Sequence, residues 1–231
     1  MVESLCATTI SVLSLAADQI VSPSLTIDTS SGHISASNLT TLQKLSVESF
    51  SGKQDLKQIS AGNALVNSSS GNVAISAMTA RALDVETFSG HVQIEQSTIE
   101  NAAILETASG IVTLTAFDAS RLSIDTFSGD ISMQDIKTAE LQASTSSGNV
   151  TASLLSGCPI TAETFSGNVS ITVPASVGFT YKIDTFSGTV NIGFPQITVD
   201  NKSSSESSGK IGDGAFTFDL KTSSGNITIQ P

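Results

Sequence analysis

The chain repeats one short phrase, seen most fully as Glu86-Thr87-Phe88-Ser89-Gly90-His91-Val92. Its Ser-Gly pair recurs eleven times in register, at Gly32, Gly52, Gly71, Gly90, Gly110, Gly129, Gly148, Gly167, Gly188, Gly209 and Gly225. The gaps are 20, 19, 19, 20, 19, 19, 19, 21, 21 and 16 residues. Self-similarity at a fixed period near 20 is the mark of a stacked repeat, because one such unit cannot bury its own apolar face. Each coil then contacts mainly its neighbours, so the 231 residues read as one elongated unit.

Aligning the repeats on their glycine assigns the positions. Seven and five residues before it stand apolar pairs: Leu25 and Ile27, Leu45 and Val47, Leu83 and Val85, Leu122 and Ile124, Tyr181 and Ile183. Three before it stands Thr or Ser in ten of the eleven repeats, Glu206 being the exception. A spacing of two puts these positions on one strand face. Two and four residues after the glycine come further apolar pairs, such as Val92 and Ile94 or Val169 and Ile171. The phase changes across the glycine, so the chain turns a corner there, and glycine's freedom to take φ > 0 suits it to that corner. A third, looser apolar site follows at Leu39, Ile59, Met78, Ile99, Phe117 and Ile136.

This pattern predicts an all-β, single-stranded parallel β-helix (a solenoid) of about 11–12 coils of 19–21 residues, each with three short strands and three corners. At about 4.8 Å per coil the rod is on the order of 55 Å long. Residues 1–24 lack the phrase and read as an atypical N-terminal coil or cap, with strand-like Thr8 to Val12 and an amphipathic helix as the alternative. Residues 25–231 form the repeat domain, continuous with it. The pattern loosens over 193–216, with Pro195, the run Ser203-Ser204-Ser205 and Gly212-Asp213-Gly214. That coil reads as distorted or opened. The final phrase then stops at Pro231 with no cap, which leaves strand edges open for pairing with another chain.

Each repeat position becomes a column along the rod. Four residues before the glycine the column carries Asp28, Glu48, Glu86, Glu106, Asp125, Glu163 and Asp184, interrupted by Asn67, Ser144, Ser205 and Lys221. It is a candidate Ca²⁺ stripe, since Ca²⁺ takes several carboxylate oxygens, or a solubilising face. The absence of the Gly-Gly-x-Gly-x-Asp calcium repeat favours the second. Two residues before the glycine the column alternates small and large: Ser30, Phe50, Ser69, Phe88, Ala108, Phe127, Ser146, Phe165, then Phe186 out of turn. If these rings face outward they form an interaction stripe for a sugar, a peptide or a second subunit. Otherwise they fold against the corner.

Composition narrows the function classes. A net charge of −11 and a pI near 4.4 repel phosphate, so nucleic acid is not an expected partner. Cys6 and Cys158 make neither a disulfide framework nor a zinc site. No apolar run is long enough for a membrane-spanning helix, and Glu3 stands where a signal peptide carries basic charge. His33 and His91 belong to no catalytic or metal motif, and Arg81 and Arg121 meet no distinctive carboxylate pair. The residues therefore point away from catalysis and from a cofactor. The alternative from another class is a polysaccharide-acting β-helix enzyme.

Thr145-Ser146-Ser147-Gly148-Asn149-Val150 and Thr222-Ser223-Ser224-Gly225-Asn226-Ile227 resemble the repeats of the bacterial putative-adhesin family, a β-helix family of unknown function. Ile171 to Phe179, followed by the turns at Gly188 and Gly209, is similar to that family's C-terminal signature. The resemblance covers residues 25–231. It implies a right-handed helix, a cell-envelope or extracellular setting, and no catalytic residues. The reading that follows is a non-catalytic surface rod, serving adhesion or envelope-stress signalling. Its partner would be a surface glycan or protein, or another copy bound through the coil ends or the Phe stripe.

Overall fold

Buried and exposed residues alternate along the strands, with interruptions only at corners. In Val73–Thr87, Val73, Ile75, Met78, Ala80, Leu83, Val85 and Thr87 all point inward. The computed structural model describes residues 14–195, 197–202 and 206–231. Within them lie β1 (Ser14–Asp18), β2 (Val21–Thr29), β3 (His33–Ser49), β4 (Gln54–Ser68), β5 (Val73–Thr87) and β6 (Val92–Thr107). Then come β7 (Val112–Ser128), β8 (Ile131–Ser147), β9 (Val150–Leu154), β10 (Ile160–Ser166), β11 (Val169–Thr172) and β12 (Phe179–Ser187). The last are β13 (Val190–Ile192), β14 (Ile197–Lys202), β15 (Glu206–Ile211), β16 (Phe216–Ser224) and β17 (Ile227–Gln230). The architecture is a parallel β-solenoid.

Successive coils pair in parallel and in register. Ile34 lies opposite Gln54, Leu39 opposite Ile59 and Val47 opposite Val66. Equivalent side chains thus stack into interior columns of Ile, Leu and Val. The third apolar column is Leu39, Ile59, Met78, Ser97, Phe117 and Ile136. Ile99, expected in it, instead stacks between Ala80 and Ala119 two positions further on. Ser97 takes its place because its hydroxyl accepts the Met78 N–H at 3.1 Å and donates to the Glu95 carbonyl.

Each coil has three corners. At the first, the backbone N–H of glycine donates to the hydroxyl three residues earlier: Gly52 to Ser49 at 2.8 Å, Gly90 to Thr87 at 3.0 Å. Those hydroxyls are buried, as the phase of the sequence requires. Several also donate to the glycine carbonyl of the adjoining coil, Thr145 to Gly129 at 3.1 Å and Thr164 to Gly148 at 3.0 Å. The glycine is needed for a different reason from the expected φ > 0. Among the described glycines, only Gly212, Gly214 and Gly225 have positive φ. Instead, a Cβ on Gly71, Gly110 or Gly167 would collide with the carbonyl oxygen of the glycine one coil below.

The left-handed backbone sits at the second corner, on residues that are not glycine. Gln19, Asn38, Gln58, Ala77, Gln96, Ala116 and Asp135 all have φ between 49° and 56°. Asn and Asp tolerate this region, whereas Ala does so at a cost of about 1–2 kcal/mol. The third corner shows as register shifts, for example between Thr41 and Lys44 or Ala80 and Leu83. Residues 14–24 already follow the coil path, with β1 and β2 paired to β3. The strand expected over Thr8 to Val12, Cys6, and the run Ser203 to Ser205 lie outside the described residues.

Eight glycine corners, Gly32 to Gly167, stack in chain order. The remaining expected coils do not follow in sequence. Gly167 is covered by Gly225, and Gly225 by Gly188. The last strands, β16 and β17, enter between β10/β11 on one side and β12/β13 on the other, parallel to both. The Gly209 repeat leaves the column altogether. Its strand β15 runs antiparallel to β12 and to β14. The uncapped C-terminal coil expected from the sequence is therefore corrected on two counts. The final phrase is an inner layer, and the outer edge of β12 is covered by the β14–β15 hairpin. The departure over 193–216 marks that hairpin and the return path of the chain. The coil-end route to self-association loses this edge.

The inserted layer is well anchored. Phe218 stacks on Phe179 with ring centroids 4.1 Å apart, and Phe194 meets Phe179 edge-on at 5.4 Å. Lys221 Nζ lies 2.8 Å from Glu163 Oε1.

Two substitutions separate the corner types. Gly110→Ala will destabilise the chain by about 3 kcal/mol or more, since two backbones must part to admit the Cβ. Ala116→Gly will raise stability by roughly 0.5–1 kcal/mol by removing left-handed strain. Urea titration of each variant gives both signs. Phe218→Ala will cost about 3–5 kcal/mol, and hydrogen exchange will show protection lost first over residues 160–192.

Candidate functional site

The outward face of the strand segment that precedes each Ser-Gly corner carries the two columns of interest. The residue between them is the buried Thr or Ser, so the two columns project from either side of it in every coil. The floor is therefore a line of hydroxyl-bearing residues: Thr29, Ser49, Ser68, Thr87 and Thr107 in the first five layers. One reach of the groove is bounded by Asp28, Glu48, Glu86 and Asp125 on one wall and Phe50, Phe88 and Phe127 on the other. A second reach continues it with Glu163, Lys221 and Asp184 facing Phe165 and Phe186. The two enclose about 670 and 540 Å³ and are open along their length.

The rings stand clear of the body. Phe50 is 68% exposed, Phe88 70%, Phe127 67%, Phe165 69% and Phe186 88%. Folding of the rings against the corner, the other arrangement open from the sequence, is thus corrected: the steric freedom to project comes from the small residues that flank the rings in the column. The inserted C-terminal layer also removes the irregularity in the sequence order. Register places Ser223 between Phe165 and Phe186. Read along the rod, the column is Ser30, Phe50, Ser69, Phe88, Ala108, Phe127, Ser146, Phe165, Ser223, Phe186. It alternates without a break, one Phe every two layers or about 10 Å.

The acidic column runs beside it as Asp28, Glu48, Asn67, Glu86, Glu106, Asp125, Ser144, Glu163, Lys221 and Asp184. All seven predicted acids lie in this one line. The inserted Lys221 falls between Glu163 and Asp184 and breaks what would be a like-charged run. Its hydrogen bond to Glu163 holds it protonated above the usual lysine range, against a smaller opposing effect of burial. Sequence order concealed this partner, because Glu163 and Lys221 are 58 residues apart.

The residue after the glycine forms a polar ladder at the corner, interrupted at Ile111. Asn168 N–H donates to Asn149 Oδ1 at 3.0 Å, Asn226 N–H to Asn168 Oδ1 at 2.9 Å and Thr189 N–H to Asn226 Oδ1 at 2.9 Å. His91 is a rung of it: its Nδ1 accepts the Ile111 N–H at 3.0 Å. His33 lies 3.3 Å from Asp55. Both histidines are thereby occupied in the scaffold. Arg121 pairs with Glu140 at 2.9 Å and Arg81 reaches the Leu42 carbonyl at 3.2 Å, both on the third corner, away from the groove. Cys158 is buried, and burial pushes its thiol up to about 12. Among the described residues, no group of three or more His, Cys, Asp or Glu converges as a metal site. Among them also, no helix is long and apolar enough to cross a membrane.

Two stability measurements test these assignments. Phe88→Ser combined with Phe127→Ser will shift the folding free energy by less than about 1 kcal/mol, as surface changes do. A loss of several would make the rings core. Excess Ca²⁺ will leave Tm unchanged, because ligand binding to the native state alone would raise it.

No curated protein matches the chain in sequence. Among solved structures, a putative cell adhesion protein from Clostridium sporogenes matches at 11% identity and a TM-score of 0.30. The match covers 61% of this chain and 55% of the other, so the chain spans about half of that protein's length. The Toastrack DUF4097 profile matches residues 7–158 and again 105–230, two overlapping passes that together take in nearly every repeat of the solenoid. The chain belongs to the Toastrack DUF4097 family.

Proposed function

We propose that this protein is a non-catalytic solenoid of the cell envelope or cell surface that presents a repetitive binding face, as an adhesion or envelope-stress scaffold. The observation that carries this reading is the row of five exposed phenylalanines beside a carboxylate column. Soluble proteins rarely leave aromatic side chains exposed in a contiguous line unless something binds there. The rings offer apolar faces at a regular interval, and the carboxylates accept hydrogen bonds from hydroxyl, amide or ammonium groups. A long ligand with its own repeat, glycan or polypeptide, suits such a surface better than a small one. Many weak contacts at fixed spacing add up through effective concentration. The envelope setting rests on the likeness of the repeats to bacterial adhesin-like sequences.

Catalysis has little support beside this. The groove places no histidine or arginine next to its carboxylates. A uniform acidic column also singles out no pair at the separation that glycoside hydrolysis needs.

A glycan array run together with a panel of polysaccharide digestions tests the reading. The expected outcome is binding without turnover, weakened at least about tenfold by Phe88→Ser with Phe127→Ser, a change of roughly 1.4 kcal/mol. Turnover of any polymer would replace the scaffold reading with an enzymatic one.

A further inference from the structure

We propose that the phenylalanine column is a self-complementary comb, and that two copies of this chain pair face to face through it with their rods antiparallel. The inference rests on the binding-face reading above and names its partner. Along the ten stacked layers of the described residues the column begins on a small residue and ends on a large one, with strict alternation between. A two-fold axis lying in the face and parallel to the strands reverses the order of the layers and keeps the column on itself. With full overlap, Phe50 then meets Ser223 of the second copy and Phe88 meets Ser146. Phe127 meets Ala108, Phe165 meets Ser69 and Phe186 meets Ser30. Every ring enters a gap and every gap receives a ring.

The fit is specific to this arrangement. A two-fold axis along the rod would set ring against ring at each level, so of the two-fold pairs only the antiparallel one interdigitates. The antiparallel pair is isologous and closes on itself, which stops growth at two copies. Ten layers at about 4.8 Å, some five residues wide, give a face roughly 43 by 15 Å. This is on the order of 650 Å² per copy and about 1,300 Å² in total, inside the range of about 1,200–2,000 Å² of specific interfaces. Among the described residues nothing of the chain itself covers the face, as the exposure of all five rings shows.

The inserted C-terminal layer is what makes the comb self-matching. Without Ser223 the gap for Phe50 would be missing and the count of layers would be odd. That layer also carries the only base in the acidic column, and the pairing brings Lys221 opposite Glu48 of the second copy. Glu106 opposite Asp125 and Asp28 opposite Asp184 are repulsive pairs at the rim. Added salt therefore strengthens this association by screening them, whereas it would weaken attraction to a cationic ligand.

Sedimentation equilibrium of the full chain, with circular dichroism confirming the fold of each variant, tests the comb. The expected result is a reversible dimer that tightens as salt is raised. Phe88→Ser with Phe127→Ser weakens it at least about tenfold. Ala108→Phe also weakens it, although it adds apolar surface, because the new ring meets Phe127 of the second copy. Combining Ala108→Phe with Phe127→Ala moves ring and gap together and restores dimer affinity to within about threefold. A chain that stays monomeric at about 100 μM overturns the proposal. So does an Ala108→Phe variant that dimerises more tightly, which would mark an unspecific apolar patch. If the chain is monomeric yet the double serine variant loses a glycan or peptide in the binding panel, self-pairing fails and the binding face stands. If it is monomeric and that variant loses nothing, both fail.

Discussion

The rod depends on how closely two backbones approach at the Ser-Gly corner. There the carbonyl of one glycine lies directly beneath the α-carbon of the next, a position that any Cβ would occupy. The hydroxyl three residues earlier accepts the glycine N–H and, in several layers, donates to the glycine carbonyl of the adjoining coil. Close approach and hydroxyl bridge support each other. The first brings each carbonyl within reach, and the second satisfies polar groups that the tight corner would otherwise bury unpaired. Because the same contact recurs at each layer, side chains on either side are held in line. The straight columns of acids and rings follow from that corner.

The chain does not fill its layers in order, and this has chemical consequences. Insertion of the last phrase puts an aromatic ring beside Phe179, a cation beside Glu163 and an amide rung beside Asn168. Each belongs to a column begun well upstream. A strand of another composition would leave a gap in the ring stack, an unrelieved pair of carboxylates and a broken ladder. The agreement of packing, charge and hydrogen bonding on one register is the consistency that makes a fold unique.

Much of this was legible in the repeat. The spacing of Thr, Ser-Gly and the flanking valines gave the fold class, the inward and outward faces and the two surface columns. What escaped was whatever depends on contacts between layers. The need for glycine at Gly110 lies in the coil below it and not in its own φ. The left-handed corner at Ala77 and Ala116 has no sequence mark, since alanine is the last residue one would place there. Ile99 reads as one inward position too early because Ser97, buried and hydroxyl-bearing, does not read as core. The insertion did leave a trace: Phe186 follows Phe165 where a small residue is due. That irregularity, with the short gap before Gly225, was the signal that sequence order and spatial order part.

The inserted layer also bears on how the molecule comes into being. A solenoid can add coils as its polypeptide emerges, each new strand settling on the one before. Here that process must pause. After the Gly167 coil, the strands at 179–192 can pair with the β14–β15 hairpin but cannot join the stacked coils until residues 216–230 exist, and the two faces between which those residues belong stay unsatisfied meanwhile. Growth from the N-terminus is thus followed by a single concerted closure, made when synthesis reaches the last phrase. A polypeptide ended before residue 216 would carry two bare edges that identify it as unfinished.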